Sequence, residues 1–215
     1  LALSGAGARG GEADADRRPV RYPSQVMTDP ARRFATYEDV LDAPENKVAE
    51  VLAGSLYVHP RPAMPHAAAA TGLAEELGPP FKRGKGGPGG WFIVAEPELH
   101  LGGDILVPDL GGWRLTTVSH FSNEAYVETR PDWVCEVLSP STEKVDRTLK
   151  LPIYAREGVG HAWLVNPLLH TLEVLRLEHG RWVTLATHHD DQRVRAEPFD
   201  AIELDLSVLW AGIQL

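Results

Sequence analysis

The sequence is poor in features that would each point to a particular class of protein. It has 1 cysteine in 215 residues, which excludes an internal disulfide and predicts a cytoplasmic protein in a reducing environment. No run of residues approaches the ~20 apolar positions of a membrane span, so we expect no membrane partner. Basic residues are outnumbered 21 to 30 by acidic ones, and the net charge of −9 argues against broad, non-specific binding of nucleic acid.

The composition that remains is that of a globular protein with one domain. Hydrophobic residues make up 43% of the chain and charged residues 24%, which are ordinary values. Residues 1–33 are rich in Gly, Ala, Asp and Arg without apolar periodicity, so we predict a disordered or extended segment there. We predict a single domain over residues 34–215.

Helix and strand patterns alternate irregularly within that domain. Apolar alternation and β-branched content predict most of the strands, and turn residues join several of them into hairpins. Helices are predicted at 65–77 and at about 141–157. This order predicts an α+β fold with a mixed β-sheet flanked by helices. The predicted strand segments are EVLAGSLYVHP (a hairpin), WFIVAEPELHL, DILVPDL, DWVCEVL, HAWLVNP, TLEVLRLEHG and RWVTLATHH.

Acidic residues stand in two of these apolar segments. Glu136 interrupts DWVCEVL, and Asp109 ends the apolar run of DILVPDL. An ionised carboxylate in a sheet is costly unless it is paired, hydrogen-bonded or bound to a metal. On the helix that follows Glu136, four-residue spacing places Asp146, Lys150 and Tyr154 on one face. Two strand-borne acids with a nearby lysine indicate a metal-dependent phosphodiesterase site.

These residues and their surroundings resemble the PD-(D/E)xK phosphodiesterase superfamily, and within it the Uma-type restriction endonuclease family. The resemblance covers roughly residues 36–210. The usual lysine position after the glutamate holds Leu138, and Lys150 on the following helix takes its place in the Uma-type pattern. The resemblance rests on EVLAGSLYV, the VPDL strand end, EVLSPST, the spacing of Asp146, Lys150 and Tyr154, and GVGHAWLVNP.

The resemblance implies a fold, a cofactor, partners and a role for each site residue. It implies a restriction-endonuclease-like core that hydrolyses phosphodiester bonds in DNA as a homodimer. Asp109, Glu136 and the backbone carbonyl of Val137 would ligate Mg²⁺ or Mn²⁺, hard cations that prefer oxygen. Lys150 would orient or deprotonate the attacking water, or stabilise charge on the phosphoryl group. Glu50 would complete the site.

Other interpretations of the same residues remain open. A non-catalytic metal- or nucleic-acid-binding module on the same fold is favoured by the acidic charge and by Leu138. A third possibility is an interaction protein that uses its sheet edges and its apolar C-terminal element. Glu136 could be structural if Lys150 is simply its buried partner. Alternatively, Lys150 could pair only with Asp146 on a solvated face of the helix. Tyr154 is expected mainly to pack. Cys135 is interpreted as a small buried hydrophobe.

Two further features carry weaker expectations. His66 starts a predicted helix and matches a histidine of the family pattern, which would let it line the site. The loop GPPFKRGKGG fails the spacing of a nucleotide-binding phosphate loop. Its residues Lys82, Arg83 and Lys85 either contact a nucleic-acid backbone or belong to a solvated loop.

Overall fold

Two mixed sheets organise residues 33–213, the part of the chain that the computed structural model describes. The predicted disordered segment, residues 1–33, lies outside the described residues except for its last position. The strands, in chain order, are β1 (Lys47–Leu52), β2 (Ser55–Pro60), β3 (Trp91–Ala95), β4 (Glu98–Leu101), β5 (Asp104–Leu106), β6 (Leu110–Arg114), β7 (Tyr126–Val127), β8 (Trp133–Val137), β9 (His161–Asn166), β10 (Thr171–Glu178), β11 (Arg181–His189), β12 (Arg193–Val194) and β13 (Leu204–Asp205).

The helical elements are short, apart from one. The α-helices are α1 (Tyr37–Leu41), α2 (Met64–Leu77), α3 (Glu143–Val145) and α4 (Leu151–Arg156). Gly78–Lys82 and Asp146–Lys150 form π turns, and Leu206–Leu209 is a 3₁₀ turn. Within residues 33–213 no helix is long and apolar enough to cross a membrane.

The chain passes between the two sheets several times, and one of these crossings lies between β5 and β6. The five-stranded sheet has the order β2-β1-β5-β4-β7, with β4 and β7 parallel. The six-stranded sheet has the order β11-β10-β9-β8-β6-β3, with β8 and β9 parallel. The chain leaves the first sheet after Leu106 and enters the second at Leu110. Asp109 therefore lies where one sheet passes into the other.

Strand β8 is buried along its whole length and faces a hydrophobic core on each side. Side chains alternate across a strand, so Trp133 and Cys135 pack with α2 while Val134 packs with α4. Glu136 follows the same alternation and points to the α4 side. The polar groups around Glu136 therefore lie at the edge of an apolar core.

Three sequence-based assignments in this region are wrong in detail. WFIVAEPELHL is two strands in different sheets, because Glu96 takes a positive φ of 46° and Pro97 cannot donate to a strand ladder. DILVPDL holds a strand only to Leu106, and Asp109 precedes β6 instead of ending a strand. The segment after Asp109, which is not among the predicted strands, forms β6, an interior strand that pairs with β3 and β8.

The predicted helix at about 141–157 is present as a continuous helical run, α3, the π turn and α4. It begins at Glu143. Pro152 is the second residue of α4 and directly follows the π turn, so the irregular part of the run lies where proline interrupts the helical hydrogen bonds. The π turn carries both Asp146 and Lys150, and such turns occur often at functional sites.

Candidate active site

Glu136 lies in the middle of the sheet with both carboxylate oxygens hydrogen-bonded. Its exposed fraction is 2%. Lys150 Nζ donates to Oε2 at 2.9 Å, and the hydroxyl of Tyr154 donates to Oε1 at 2.6 Å. These two donors explain how strand β8 tolerates a carboxylate inside an apolar run, since a buried charge without partners would be strongly destabilising.

Lys150 reaches the cluster from the π turn and is itself buried. Its Nζ lies 3.2 Å from Glu50 Oε1 and 3.8 Å from Asp146 Oδ1, and it donates to the backbone carbonyl of Val107 at 3.1 Å. The interpretation of Lys150 as paired only with Asp146 on a solvated face is therefore wrong. The ammonium group stands between carboxylates from three separate elements.

The segment between β5 and β6 helps to hold the other acids in place. Glu50 on β1 accepts the N–H of Val107 at 2.7 Å. Asp109 Oδ2 accepts the N–H of Val137 at 2.6 Å and lies 3.3 Å from His66 Nε2. Within the described part of the chain, Oδ1 of Asp109 accepts no hydrogen bond. That oxygen is available to a ligand.

The cluster contains more carboxyl groups than ammonium groups. Burial raises the pKa of Glu136 well above its ordinary value, against the lowering effect of Lys150, and neighbouring carboxylates raise it further. Burial also raises the pKa of Asp146. Burial alone lowers the pKa of Lys150, but the surrounding carboxylates raise it well above its usual range. The lysine therefore stays protonated, while the carboxylates repel one another.

A cavity of about 70 Å³ opens onto these carboxylates and also reaches two histidines. Nε2 of His59 lies 3.7 Å from Glu50 Oε2, too far for a hydrogen bond. Nε2 of His59 and Nδ1 of His66 are both buried without a hydrogen-bond partner. Unpaired buried nitrogen atoms are uncommon and require an explanation.

The donor set fits a hard divalent cation that keeps part of its water shell. No group of three or more His, Cys, Asp and Glu side chains within residues 33–213 forms a ready metal cage. Mg²⁺ does not require one, because it is typically held by one or two carboxylates and retains several waters. The free Oδ1 of Asp109 and the adjoining cavity are compatible with such a site, while both oxygens of Glu136 already accept hydrogen bonds.

The structure brings most of the predicted site residues together. Glu50, Asp109, Glu136 and Lys150 line one cavity, as does His66. Val137 touches the cluster through its N–H, which binds Asp109, and the ligand role of its carbonyl stays a prediction. Cys135 has the predicted character of a buried apolar residue, since burial raises the pKa of its thiol well above the ordinary value.

Sequence reasoning missed two members of the cluster. Tyr154, expected mainly to pack, is buried and also donates to Glu136. His59 was overlooked, although the β1–β2 register would have found it. Glu50 pairs with Tyr57 and Val48 with His59, so His59 is the diagonal neighbour of Glu50 on the same face of the hairpin.

Comparison with known proteins gives a family and similar solved structures. The Uma2 family model, described as "Putative restriction endonuclease", matches residues 34–208. A crystal structure of a putative nuclease belonging to DUF820 from Anabaena variabilis ATCC 29413 is similar with a TM-score of 0.60 and 21% identity, over 82% of this chain and 98% of that chain. No curated protein matches. The likeness confirms the predicted α+β, restriction-endonuclease-like fold.

Proposed function

The chain belongs to the Uma2 family of putative restriction endonucleases, and on that premise we propose that it is a metal-dependent nuclease that hydrolyses phosphodiester bonds in DNA. The observation that carries the proposal is the group of buried carboxylates, Glu50, Glu136 and Asp146, around the ammonium group of Lys150, with the partly exposed Asp109 on the same cavity. Burying so many carboxylates is unfavourable for folding. A bound cation would compensate the charge of these carboxylates.

Each residue of the cluster has a role in this proposal. Asp109 and Glu136, with the carbonyl of Val137, would hold Mg²⁺ or Mn²⁺. The bound ion supplies Lewis acidity and a stronger nucleophile. Lys150 has a raised pKa, so it donates hydrogen bonds and stabilises negative charge on the phosphoryl oxygens instead of removing a proton. Glu50 and Tyr154 position Lys150 and Glu136 respectively.

The proposal is tested by cleavage of supercoiled, linear and single-stranded DNA with Mg²⁺ or Mn²⁺, and with a chelator. We expect metal-dependent cutting that Asp109→Ala and Glu136→Ala each abolish. Asp190→Asn is the control, since that exposed carboxylate lies outside the cluster and pairs with His189 within residues 33–213. Circular dichroism checks that the variants are folded. If both alanine variants still cut DNA, the assignment of Asp109 and Glu136 to a nuclease site is wrong.

A non-catalytic binding module on the same fold is the second candidate. One observation favours it: both oxygens of Glu136 are already occupied by Lys150 and Tyr154. A cation would then be held mainly by Asp109. Metal binding without turnover on any DNA, with binding lost in Asp109→Ala, is the result expected for this candidate.

The proposal also includes a homodimer that works in the cytoplasm. Two sites would be needed to cut both strands of a duplex, one for each protomer. The buried free thiol of Cys135 is compatible with a reducing compartment. Light scattering after size-exclusion chromatography measures the stoichiometry directly, and a monomeric mass at working concentration would remove the dimer from the proposal.

A further inference from the structure

A groove of about 550 Å³ lies beside the acidic cluster, between α2 and the strands β3 and β6. We name it the alanine groove. One wall is the face of α2 formed by Ala67, Ala70, Thr71 and Ala74, and the opposite wall includes Ala95 and Leu110. Small side chains at helical spacing leave the space open, because none is long enough to reach across it.

The alanine groove ends at the proposed cation site. Asp109 and Glu96 line both the groove and the cavity of the acidic cluster. A molecule that lies in the groove therefore has one end at the free oxygen of Asp109. This continuity makes the groove a place for the part of a substrate that is adjacent to the reacting phosphate.

Arg83 gives the groove a positive group for a phosphate. It lines the groove from the end of the π turn at Gly78–Lys82 and is exposed. Within residues 33–213 its guanidinium has no carboxylate partner. By contrast, Lys82 is tied to the backbone carbonyl of Ile93 at 3.1 Å, and Lys85 does not line the groove. Of the three basic residues of this loop, Arg83 is the one positioned for a ligand.

We propose that the alanine groove binds a single-stranded segment of the nucleic-acid substrate next to the scissile phosphate, with Arg83 on a neighbouring phosphate. The inference rests on the proposed nuclease function and adds the strandedness of its substrate. The groove has the volume of a small-molecule pocket, about 300–1,000 Å³. A duplex, whose major groove alone is about 12 Å wide, does not enter it.

The remaining groups of the groove suit unpaired bases. Its walls are mostly apolar and can cover the faces of bases that have lost their stacking partners. The carboxylates of Glu75 and Glu96 can accept hydrogen bonds from the exocyclic amino groups of bases. In a duplex these amino groups are engaged in base pairs and are accessible only along the edges of the DNA grooves, whereas in a single strand they are free. Glu96 is partly neutralised by Arg61, at 3.5 Å. Each active site would bind one strand at a time, whether the protein is a monomer or a dimer.

The test is fluorescence anisotropy with a labelled single strand of about 12 nucleotides, within the site sizes of single-strand binders, and with the same strand annealed to its complement. Ca²⁺ replaces Mg²⁺, and a gel confirms that the probe stays intact. We expect the single strand to bind more tightly than the duplex. Arg83→Ala should weaken single-strand binding about tenfold and flatten the salt dependence by about 0.7 in the logarithmic slope.

Two further variants make the result specific to the groove. Thr71→Phe fills it from an exposed position on α2 and should also weaken single-strand binding. Lys85→Ala removes the same charge two residues from Arg83 and should stay within about twofold of the parent protein. Equal effects of Arg83→Ala and Lys85→Ala, or duplex binding as tight as single-strand binding, would overturn the inference.

The outcome is separable from that of the proposed function. A protein that cuts duplex DNA in the cleavage assay but shows no single-strand preference keeps the nuclease proposal and loses this inference. A protein that binds the single strand, loses that binding in Arg83→Ala and Thr71→Phe, and cuts no DNA supports the groove and rejects the nuclease.

Discussion

Lys150 is the residue on which the charge balance of the acidic cluster depends. Oxygens of Glu136, Glu50 and Asp146 lie 2.9, 3.2 and 3.8 Å from its Nζ. A buried ionic group is weak evidence for stability as a whole, because desolvation opposes the attraction. Removing one partner is different, since it leaves the remaining charges buried and uncompensated.

We predict that Lys150→Ala lowers the cleavage rate on the order of 10²-fold or more, the scale of a lost electrostatic contact at a reacting group. Metal binding is retained, because Asp109 and Glu136 are unchanged. Without metal, the free energy of unfolding should fall by about 3–5 kcal/mol. Urea denaturation and single-turnover kinetics measure the two effects.

The matched control for this variant is Lys144→Ala, which removes an exposed lysine from the same helical run. It should change neither the rate nor the stability appreciably. Mn²⁺ should restore part of the stability of Lys150→Ala, since a cation then compensates the same carboxylates. An unchanged cleavage rate in Lys150→Ala would remove this lysine from the site.

Strand β6 shows at the scale of an element how the site depends on residues without polar groups. It begins directly after Asp109 and lies between β3 and β8. A Cβ built on Gly112 would lie 2.9 Å from a ring carbon of Trp133, and one on Gly111 would lie 2.9 Å from Pro97. These glycines let the tryptophan and proline rings pack directly on the strand.

We predict that Gly112→Ala destabilises the protein by about 1–3 kcal/mol, the usual cost of overpacking. The change would otherwise be favourable, because Gly in a strand interior costs about 0.5–1 kcal/mol relative to Ala. The variant should also lose cleavage activity if the strand shifts, since β6 fixes the position of Asp109. A thermal midpoint equal to or above that of the parent would show that Trp133 moves aside freely.

The elements that the sequence predicted well are those with strong periodicity. Helix α2 and strands β8, β9, β10 and β11 follow from apolar spacing alone. Strand β6 did not, because its Gly-Gly pair has low strand propensity and is explained only by rings from distant residues. The sequence predicted one mixed sheet, and no local pattern shows that the strands form two. That division depends on which strands pair with one another, often across long stretches of the chain.

The same distinction applies to the site. Glu136 was detectable because a charge inside an apolar strand is conspicuous, and Lys150 because it shares a helical face with Asp146. The hydrogen bond from Lys150 to the carbonyl of Val107 joins residues 43 positions apart, and no spacing rule predicts it. His59 is predictable in part. Once the turn of the β1–β2 hairpin is placed, the strand register puts His59 next to Glu50.

At the scale of the whole molecule, the acidic cluster joins the two sheets. Glu50 comes from the five-stranded sheet, Glu136 from the six-stranded sheet, and Asp109 from the segment between them. A cation held by these carboxylates would therefore be bound by groups from both sheets at once. Ligands that bind only the folded state stabilise it, by about 2.7 kcal/mol at a hundredfold excess over the dissociation constant.

We predict that Mn²⁺ or Mg²⁺ raises the melting temperature of the protein and that Asp109→Asn removes the rise. The net charge of −9 attracts any divalent cation weakly, so the measurement is made in about 0.15 M salt, where the screening length is about 8 Å. Asp190→Asn, which lowers the negative charge equally at an exposed position, should keep the rise. If both variants lose it alike, the cation binds through the diffuse charge of the surface, and the cluster between the sheets is not a metal site.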